Sequence, residues 1–164
     1  MMESQLDPHL FLSRQFGRSY RVIKALNARY LAELGYNDFK IGHCMVMLNL
    51  ETEGITAAEL AKKVNVSKQA MSKLIQELIE KGFVISVKHP QDHRATLIRA
   101  TEEGLRFFEA LMICRKKVEL EMSQVIGEEK LSQLHLILRE ILDHYELVAG
   151  MDLQNESIAQ TTLK

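Results

Sequence analysis

The chain has 164 residues, of which 46% are hydrophobic and 26% charged, a composition typical of a globular protein with one packed core. The two cysteines, Cys44 and Cys114, are too few for a disulfide scaffold. No apolar run approaches the roughly 18 residues needed to cross a bilayer. The start of the chain lacks a basic segment followed by an apolar one, so we expect a cytoplasmic protein with no signal peptide and no membrane association.

The net charge of −1 conceals an uneven distribution along the chain. Residues 62–99 carry a net charge of +5, whereas residues 1–61 carry −1 and residues 100–164 carry −5. A basic segment between acidic ones is expected when one face of a protein meets phosphate groups and the rest stays in solvent. The distribution therefore favours a nucleic-acid partner, although a helical surface can also acquire such a charge by chance.

The first part of the chain predicts two helices. The Asp-Pro pair at residues 7–8 is a typical helix start, because the Asp side chain caps backbone N–H groups and proline has no N–H to leave unpaired. Apolar residues then recur with helical spacing to about Gly35. Asn37 or Asp38 can cap a second helix that reaches Gly54.

Two capped helices follow. Thr56 and Glu59 have the spacing of a capping box, in which the Thr side chain accepts a backbone N–H and the Glu side chain returns to the cap. Ser67 can cap the next helix, which a lysine and a glycine at residues 81–82 terminate. This helix should bury one apolar stripe, formed by Ala70, Met71, Leu74, Ile75 and Leu78.

The periodicity then changes from helical to extended. Residues 83–88 and 95–99 are short runs rich in β-branched side chains, and the polar residues 89–94 between them predict a β-hairpin. A helix from Thr101 to about Ile126 comes next, followed by a last helix. The predicted fold class is mainly α with a small β-hairpin wing (α+β).

The order of elements from Thr56 to Thr101 is that of a winged helix-turn-helix, whose second helix enters the DNA major groove. Lysine can bond guanine or phosphate, glutamine can pair with adenine, and serine can bond either base or backbone. An ordinary solvated helix face is the alternative interpretation. The DNA-binding candidates on this helix are Ser67, at its cap, and the outward residues Lys68, Gln69, Ser72, Lys73 and Gln76.

The hairpin tip supplies a second set of DNA-binding candidates. Arg94 can enter the minor groove, where narrow A·T-rich tracts concentrate negative potential, and Asp92 is placed to orient it. Lys88 at the hairpin edge and His93 at the tip complete the set. The alternative is a surface turn with a local ion pair that contributes little.

The sequence resembles the MarR family of bacterial transcriptional regulators. The resemblance is carried by residues 55–75, ITAAELAKKVNVSKQAMSKLI, by residues 78–84, and by the wing residues 90–95 with their Asp-x-Arg signature. The Thr-Glu-x-Gly motif at residues 101–104 opens the next helix as in the family. The resemblance assigns DNA contacts to Lys68, Gln69, Ser72 and Lys73 of the recognition helix, and a minor-groove contact to Arg94, oriented by Asp92.

The family resemblance implies a homodimer that binds a palindromic operator on double-stranded DNA, as a repressor released by a small aromatic effector. No cofactor is implied. We expect an N-terminal dimerisation helix (1–36), a winged DNA-binding domain (37–100), C-terminal dimerisation helices (101–149) and a disordered tail (150–164).

Two positions depart from the family pattern. His93 stands where the family commonly has a second arginine, which predicts weaker and pH-sensitive binding by the wing. Residues 39–44 also differ from the usual opening of the second helix, next to the family's ligand crevice. We expect that crevice to be lined by Tyr20, His43, Met47 and Phe107, with His43 as a polar contact to the effector.

Other functions have weaker support in the sequence. A thiol- or metal-responsive regulator of the same fold would use Cys44 or converging histidines, but there is no CxxC and no helical HxxxH, so we predict no metal. No phosphate-binding loop or catalytic motif is present, which argues against an enzyme. A winged module that binds protein instead of DNA would be favoured by acidic or apolar residues at the outward positions, which are basic and polar here.

Overall fold

The computed structural model describes residues 11–91 and 95–145, and these form six helices and a three-stranded sheet. The mainly helical fold class with a small wing is confirmed. In chain order the elements are α1 (Leu12–Glu33), α2 (Ile41–Leu48), β1 (Ile55–Thr56), α3 (Ala57–Val64), α4 (Lys68–Glu80), β2 (Val84–Lys88), β3 (Thr96–Ala100), α5 (Glu102–Ile126) and α6 (Glu128–Asp143).

Side-chain caps define where the central helices begin. The capping box before α3 is confirmed: the Glu59 N–H donates to Thr56 Oγ1 at 3.2 Å, and the Thr56 N–H donates to Glu59 Oε2 at 3.0 Å. The cap of α4 is confirmed as well, since the Ala70 N–H donates to Ser67 Oγ at 3.1 Å. The Ser67 cap of α4 lies only three residues after Val64, the last residue of α3, so the turn between the two helices is short.

The predicted hairpin is confirmed as β2 and β3, and a third strand joins it. The sheet is antiparallel in the order β1-β3-β2, with Ile55 opposite Ile98 and Val84 opposite Ala100. β1 has only two residues, which is too short for a periodicity to predict. The predicted hairpin tip, residues 92–94, lies outside the described residues, as do the predicted helix start at residues 7–8 and the predicted tail.

The core lies between the winged elements and α5. Phe107 of α5 is fully buried, and its ring stacks on Phe39 with centroids 4.0 Å apart, while the rings of Tyr36 and Phe83 pack at 4.9 and 5.2 Å. A Cβ atom at Gly104 would lie 2.0 Å from the backbone oxygen of Phe83. Only glycine therefore allows the first turn of α5 to approach the sheet so closely.

Three predictions about the helices were wrong. The second helix begins at Ile41 rather than at Asn37 or Asp38, because the Asp38 carboxylate bonds Lys81 Nζ at 2.8 Å and does not cap. Its last residue is Leu48, well before Gly54. Ala70, placed in the buried stripe of α4 from the sequence, is exposed.

The exposure of Ala70 follows from helix geometry. Successive residues of an α-helix are rotated by about 100°. Met71, Ile75 and Leu78 therefore share the buried face, Leu74 lies at its margin, and Ala70 lies beyond it.

Candidate nucleic-acid interface

The outward face of α4 consists of the five residues that the sequence analysis selected. All five are exposed and share one side of the helix: Lys68, Gln69, Ser72, Lys73 and Gln76. Ser72 Oγ donates to the backbone oxygen of Lys68 at 2.9 Å, and Gln76 Nε2 donates to Glu80 Oε1 at 3.0 Å. We call these five residues the outward face.

The two lysines of the outward face differ from other lysines of the basic segment. Lys63 Nζ pairs with Glu51 Oε1 at 2.5 Å, and Lys81 Nζ pairs with Asp38 Oδ2 at 2.8 Å. Within residues 11–91 and 95–145, neither Lys68 nor Lys73 forms an ion pair. Their charges are therefore available to an anionic partner.

The start of α4 adds to the positive potential of this face. Its first turn contains Lys68 and no acidic residue, and the capping oxygen of Ser67 is already occupied by the Ala70 N–H. The exposed N–H groups and the helix dipole both favour negative charge at this end. Phosphate groups are therefore suitable partners for the first turn.

Two acidic residues adjoin the outward face: Glu80 bonds Gln76, whereas Glu77, which follows Gln76 in the sequence, is turned towards α2. Its carboxylate Oε2 lies 2.7 Å from His43 Nε2 and 2.7 Å from Lys40 Nζ. These hydrogen bonds, that of Lys40 first and that of His43 second, lower the pKa of Glu77. The sequence analysis assigned no role to Glu77. Its partners lie 34 and 37 residues earlier in the chain, and no local pattern reveals them.

The structure describes the base of the wing but not its tip. Lys88 is exposed at the end of β2, opposite Thr96, and the His89 N–H donates to the backbone oxygen of Ala95 at 3.0 Å. Asp92, His93 and Arg94 lie outside the described residues. Their DNA-binding roles therefore stay predictions.

The four predicted effector residues differ in their exposure within the described part of the chain. His43, Met47 and Phe107 are buried in the core, with His43 only 1% exposed, whereas Tyr20 is 54% exposed on α1. The space next to Phe107 is occupied by the rings of Tyr36 and Phe39. The lining of an effector crevice by these four residues stays a prediction.

Both cysteines lie in surroundings that disfavour the thiolate. Desolvation raises the pKa of Cys44 to about 11, and burial also raises the pKa of Cys114. A protonated thiol is a poor nucleophile and a poor metal ligand, which weakens the thiol-responsive alternative. Across residues 11–91 and 95–145, no group of three or more His, Cys, Asp or Glu side chains is arranged to hold a metal ion.

Comparison with known proteins identifies the central region. The model of the MarR family matches residues 37–95. The chain carries a MarR-family domain. Two relatives from Bacillus subtilis are an uncharacterized HTH-type transcriptional regulator, YdgJ, and the HTH-type transcriptional repressor YetL. YdgJ is 25% identical over 71% of this chain and 68% of its own length, and YetL is 29% identical over 62% of this chain and 61% of its own length.

Solved MarR-family structures share the fold. A crystal structure of MarR superposes with a TM-score of 0.71 at 18% identity and covers 90% of this chain and 99% of that one. MepR of S. aureus in complex with DNA gives 0.68 at 19% identity, covering 82% and 98%. CouR of Rhodococcus jostii RHA1 with p-coumaroyl-CoA gives 0.67 at 20%, covering 84% and 92%. The curated relatives are named as transcriptional regulators, not enzymes, in agreement with the prediction of a non-enzymatic protein.

The helices outside the MarR-family domain expose many apolar side chains. On α1 these include Phe16 and Tyr20, and on α6 they include Leu134, Ile137 and Ile141. No helix among the described residues is both long and apolar enough to cross a membrane. Apolar surface of this extent on a helical bundle is typical of a protein–protein interface.

Proposed function

We propose that this protein is a homodimeric transcriptional repressor that binds a palindromic operator and is released by a small aromatic effector. The observation that carries the proposal is the outward face of α4, which presents two glutamines and two lysines without an ion pair to any described residue, beside a wing. The DNA complex of MepR, a protein of the same fold, supports it. The domain limits at residues 36, 100 and 149 are part of the proposal.

Each candidate residue has a role that its chemistry suggests. Lys68 and Lys73 neutralise phosphates or bond guanine, and Gln69 and Gln76 read base edges in the major groove. Ser67 and Ser72 bond the sugar-phosphate backbone of the DNA. At the wing, Lys88 approaches the adjacent phosphates, whereas Arg94, held by Asp92 and next to His93, enters the minor groove.

The dimer follows from the uncovered apolar faces of α1, α5 and α6. A second copy of this chain is the proposed occupant, because two such faces related by a twofold axis cover each other. A twofold dimer places two α4 helices about one helical turn of DNA apart, which matches a palindromic site. The TM-scores of 0.67 to 0.71 with MarR-family structures support the same arrangement of helices.

The effector part of the proposal requires a rearrangement. His43, Met47 and Phe107 are buried, so a ligand reaches them only when the rings packed around Phe107 move, those of Tyr36, Phe39 and Phe83. The complex of CouR with p-coumaroyl-CoA supports an aromatic acyl compound as the class to test. By linkage, an inducer must bind the free dimer more tightly than the DNA-bound dimer, and equal affinities would contradict release by an effector.

The DNA-binding proposal is tested by selecting duplexes from a random pool with the full-length protein. We expect enrichment of one palindromic sequence, and binding that weakens steeply with salt because lysine–phosphate contacts release counterions. Lys73→Ala should lower affinity for all sequences, whereas Gln69→Ala should relax the preference at one position of each half-site. A pool that shows no enrichment would contradict DNA recognition and favour a protein-binding winged module.

A further inference from the structure

α4 has a third face, distinct from the outward face and from the buried face. Leu74 and Glu77 lie on it, and Lys81 continues it just past the last turn. This face meets residues 38–43, the segment that leads into the first turn of α2. We call this contact the α2–α4 junction.

The α2–α4 junction is close and specific at both ends. A Cβ atom at Gly42 would lie 2.8 Å from Leu74 Cδ2, so only glycine allows this approach without a shift of the leucine side chain. At the other end, Lys81 Nζ bonds Asp38 Oδ2 at 2.8 Å and lies 5.5 Å from the centre of the Phe39 ring. The junction therefore extends along about two turns of α4.

Glu77 occupies the centre of the junction. Its Oε2 atom lies 2.7 Å from Nε2 of the buried His43, and Lys40 Nζ bonds both carboxylate oxygens at 2.7 and 2.8 Å. The Lys40 N–H donates to His43 Nδ1 at 3.3 Å, so Nδ1 carries no proton. The neutral ring therefore has its proton on Nε2 and donates it to Glu77.

Water cannot replace Glu77 as the acceptor for His43. The residue is only 1% exposed, and a buried donor that loses its acceptor is costly. The hydrogen bond thus favours one distance and one rotation of α4 relative to α2. Lys40 acts from the solvent side, where its ion pair with Glu77 contributes less.

We propose that Glu77 is a positioning residue for operator binding, which ties α4 to α2 and so fixes the rotation of α4 about its own axis. This inference rests on the proposed DNA binding. Base-edge contacts require side chains placed within about 10–20°, whereas phosphate contacts tolerate more freedom. Loss of the junction should therefore weaken binding to the operator more than binding to unrelated DNA.

The test compares the affinities of the full-length protein for the selected operator and for a shuffled duplex at one salt concentration. Glu77→Ala leaves a buried donor unpaired and should lower the operator affinity about tenfold. The affinity for the shuffled duplex should stay unchanged or rise slightly. Glu77→Gln should restore most of the preference, since its amide oxygen still accepts from His43 Nε2. Glu80→Gln is the matched control, as it removes the same charge from α4 and keeps an acceptor for Gln76.

The ratio of the two affinities decides between the outcomes. The control should raise both affinities in parallel, because less negative charge then faces the DNA. A parallel change of both affinities in Glu77→Ala, upwards or downwards, would overturn the positioning role, as would a failure of Glu77→Gln to restore the ratio. If the wild-type protein itself does not distinguish the two duplexes, the proposed function fails, whatever the variants do.

Discussion

The MarR-family domain and the helices outside it differ in how completely they cover their apolar side chains. Among the described residues, the large exposed apolar side chains within residues 37–95 are three in number, Ile41, Met45 and Ile85, whereas eighteen lie outside that range. The domain covers most of its apolar side chains in the core that it shares with α5, around Leu60, Met71 and Phe107. The apolar side chains of α1, α5 and α6 that lie outside this core gain comparable burial only against another molecule.

This difference indicates a division of tasks between the two regions. A domain whose apolar side chains are covered can change its surface residues for DNA recognition without losing its fold. Helices with open apolar faces instead make folding and association part of one equilibrium. Substitutions in the two regions should therefore have different readouts, stability in one and assembly in the other.

The largest effect is expected in the core of the MarR-family domain. Leu60 is fully buried, so Leu60→Ala should lower the free energy of unfolding by about 2–5 kcal/mol, through lost burial and the cavity that remains. Urea unfolding at constant protein concentration measures this. Leu105→Ala, at an exposed site on α5, is the control and should change it by less than about 1 kcal/mol. Equal losses at both sites would remove the contrast between the regions.

The next effect concerns assembly. Ile137 of α6 is 54% exposed, and Ile137→Glu should raise the dimer Kd about a hundredfold, since a charge would then be buried between two copies. Ile85 on the wing is similarly exposed at 47%, and Ile85→Glu should leave the Kd unchanged. Sedimentation equilibrium at micromolar concentration measures both. A wild-type protein that sediments as an 18.8 kDa monomer would contradict the dimer and the palindromic operator together.

A smaller effect is expected at the wing, and it should separate DNA binding from assembly. Arg94→Ala should weaken operator binding by about 1–3 kcal/mol and reduce the salt slope by about one phosphate per subunit, with the dimer Kd unchanged. Lys88→Ala should act more weakly. Titrations at fixed salt that show negligible losses for both variants would leave the wing without a role in binding.

The smallest effect is a pH dependence at the contact between α1 and α5. A hydrogen bond from Tyr30, and then one from Arg29, hold the pKa of Glu121 below its ordinary value of 4.5. Because the folded-state pKa is lowered, the stabilisation is complete above pH 4.5 and is lost as the pH falls through the folded-state value.

The measurement is the urea midpoint between about pH 7 and pH 3, the range in which carboxylates titrate. The urea midpoint of Glu121→Gln should fall less steeply than that of the wild type as the pH is lowered. Glu109→Gln removes the same charge from the same helix at a residue without a hydrogen bond to any other described side chain, and its curve should keep the wild-type slope. A wild-type slope in Glu121→Gln would show that this contact does not couple to pH.

The parts of the fold that the sequence predicted correctly depend on neighbours in the chain. The caps at Thr56 and Ser67 act over three residues, and the apolar stripe of α4, apart from Ala70, follows from helical spacing. The wing was predictable because β-branched runs flank a polar turn. The outward face of α4 was predictable because its residues lie on the side of the helix opposite the apolar stripe.

The parts that the sequence did not reveal depend on distant residues. Asp38 fails to cap a helix because Lys81 takes its carboxylate, and Glu77 leaves the outward surface because His43 and Lys40 bond it. β1 forms only because Ile55 pairs with Ile98. The ring cluster around Phe107 was not predicted for the same reason, since its members come from three separate segments.

The wing continues almost directly into α5, so a tilt of this helix also moves the wing. β3 ends at Ala100 and α5 begins at Glu102, and Thr101 between them is bonded to the backbone oxygens of both Gly82 and Phe83. With 25 residues, α5 is about 37 Å long at 1.5 Å per residue. A tilt of about 5° at its far end, where the proposed dimer is joined, would therefore displace the wing by about 3 Å, comparable to the spacing of neighbouring base pairs.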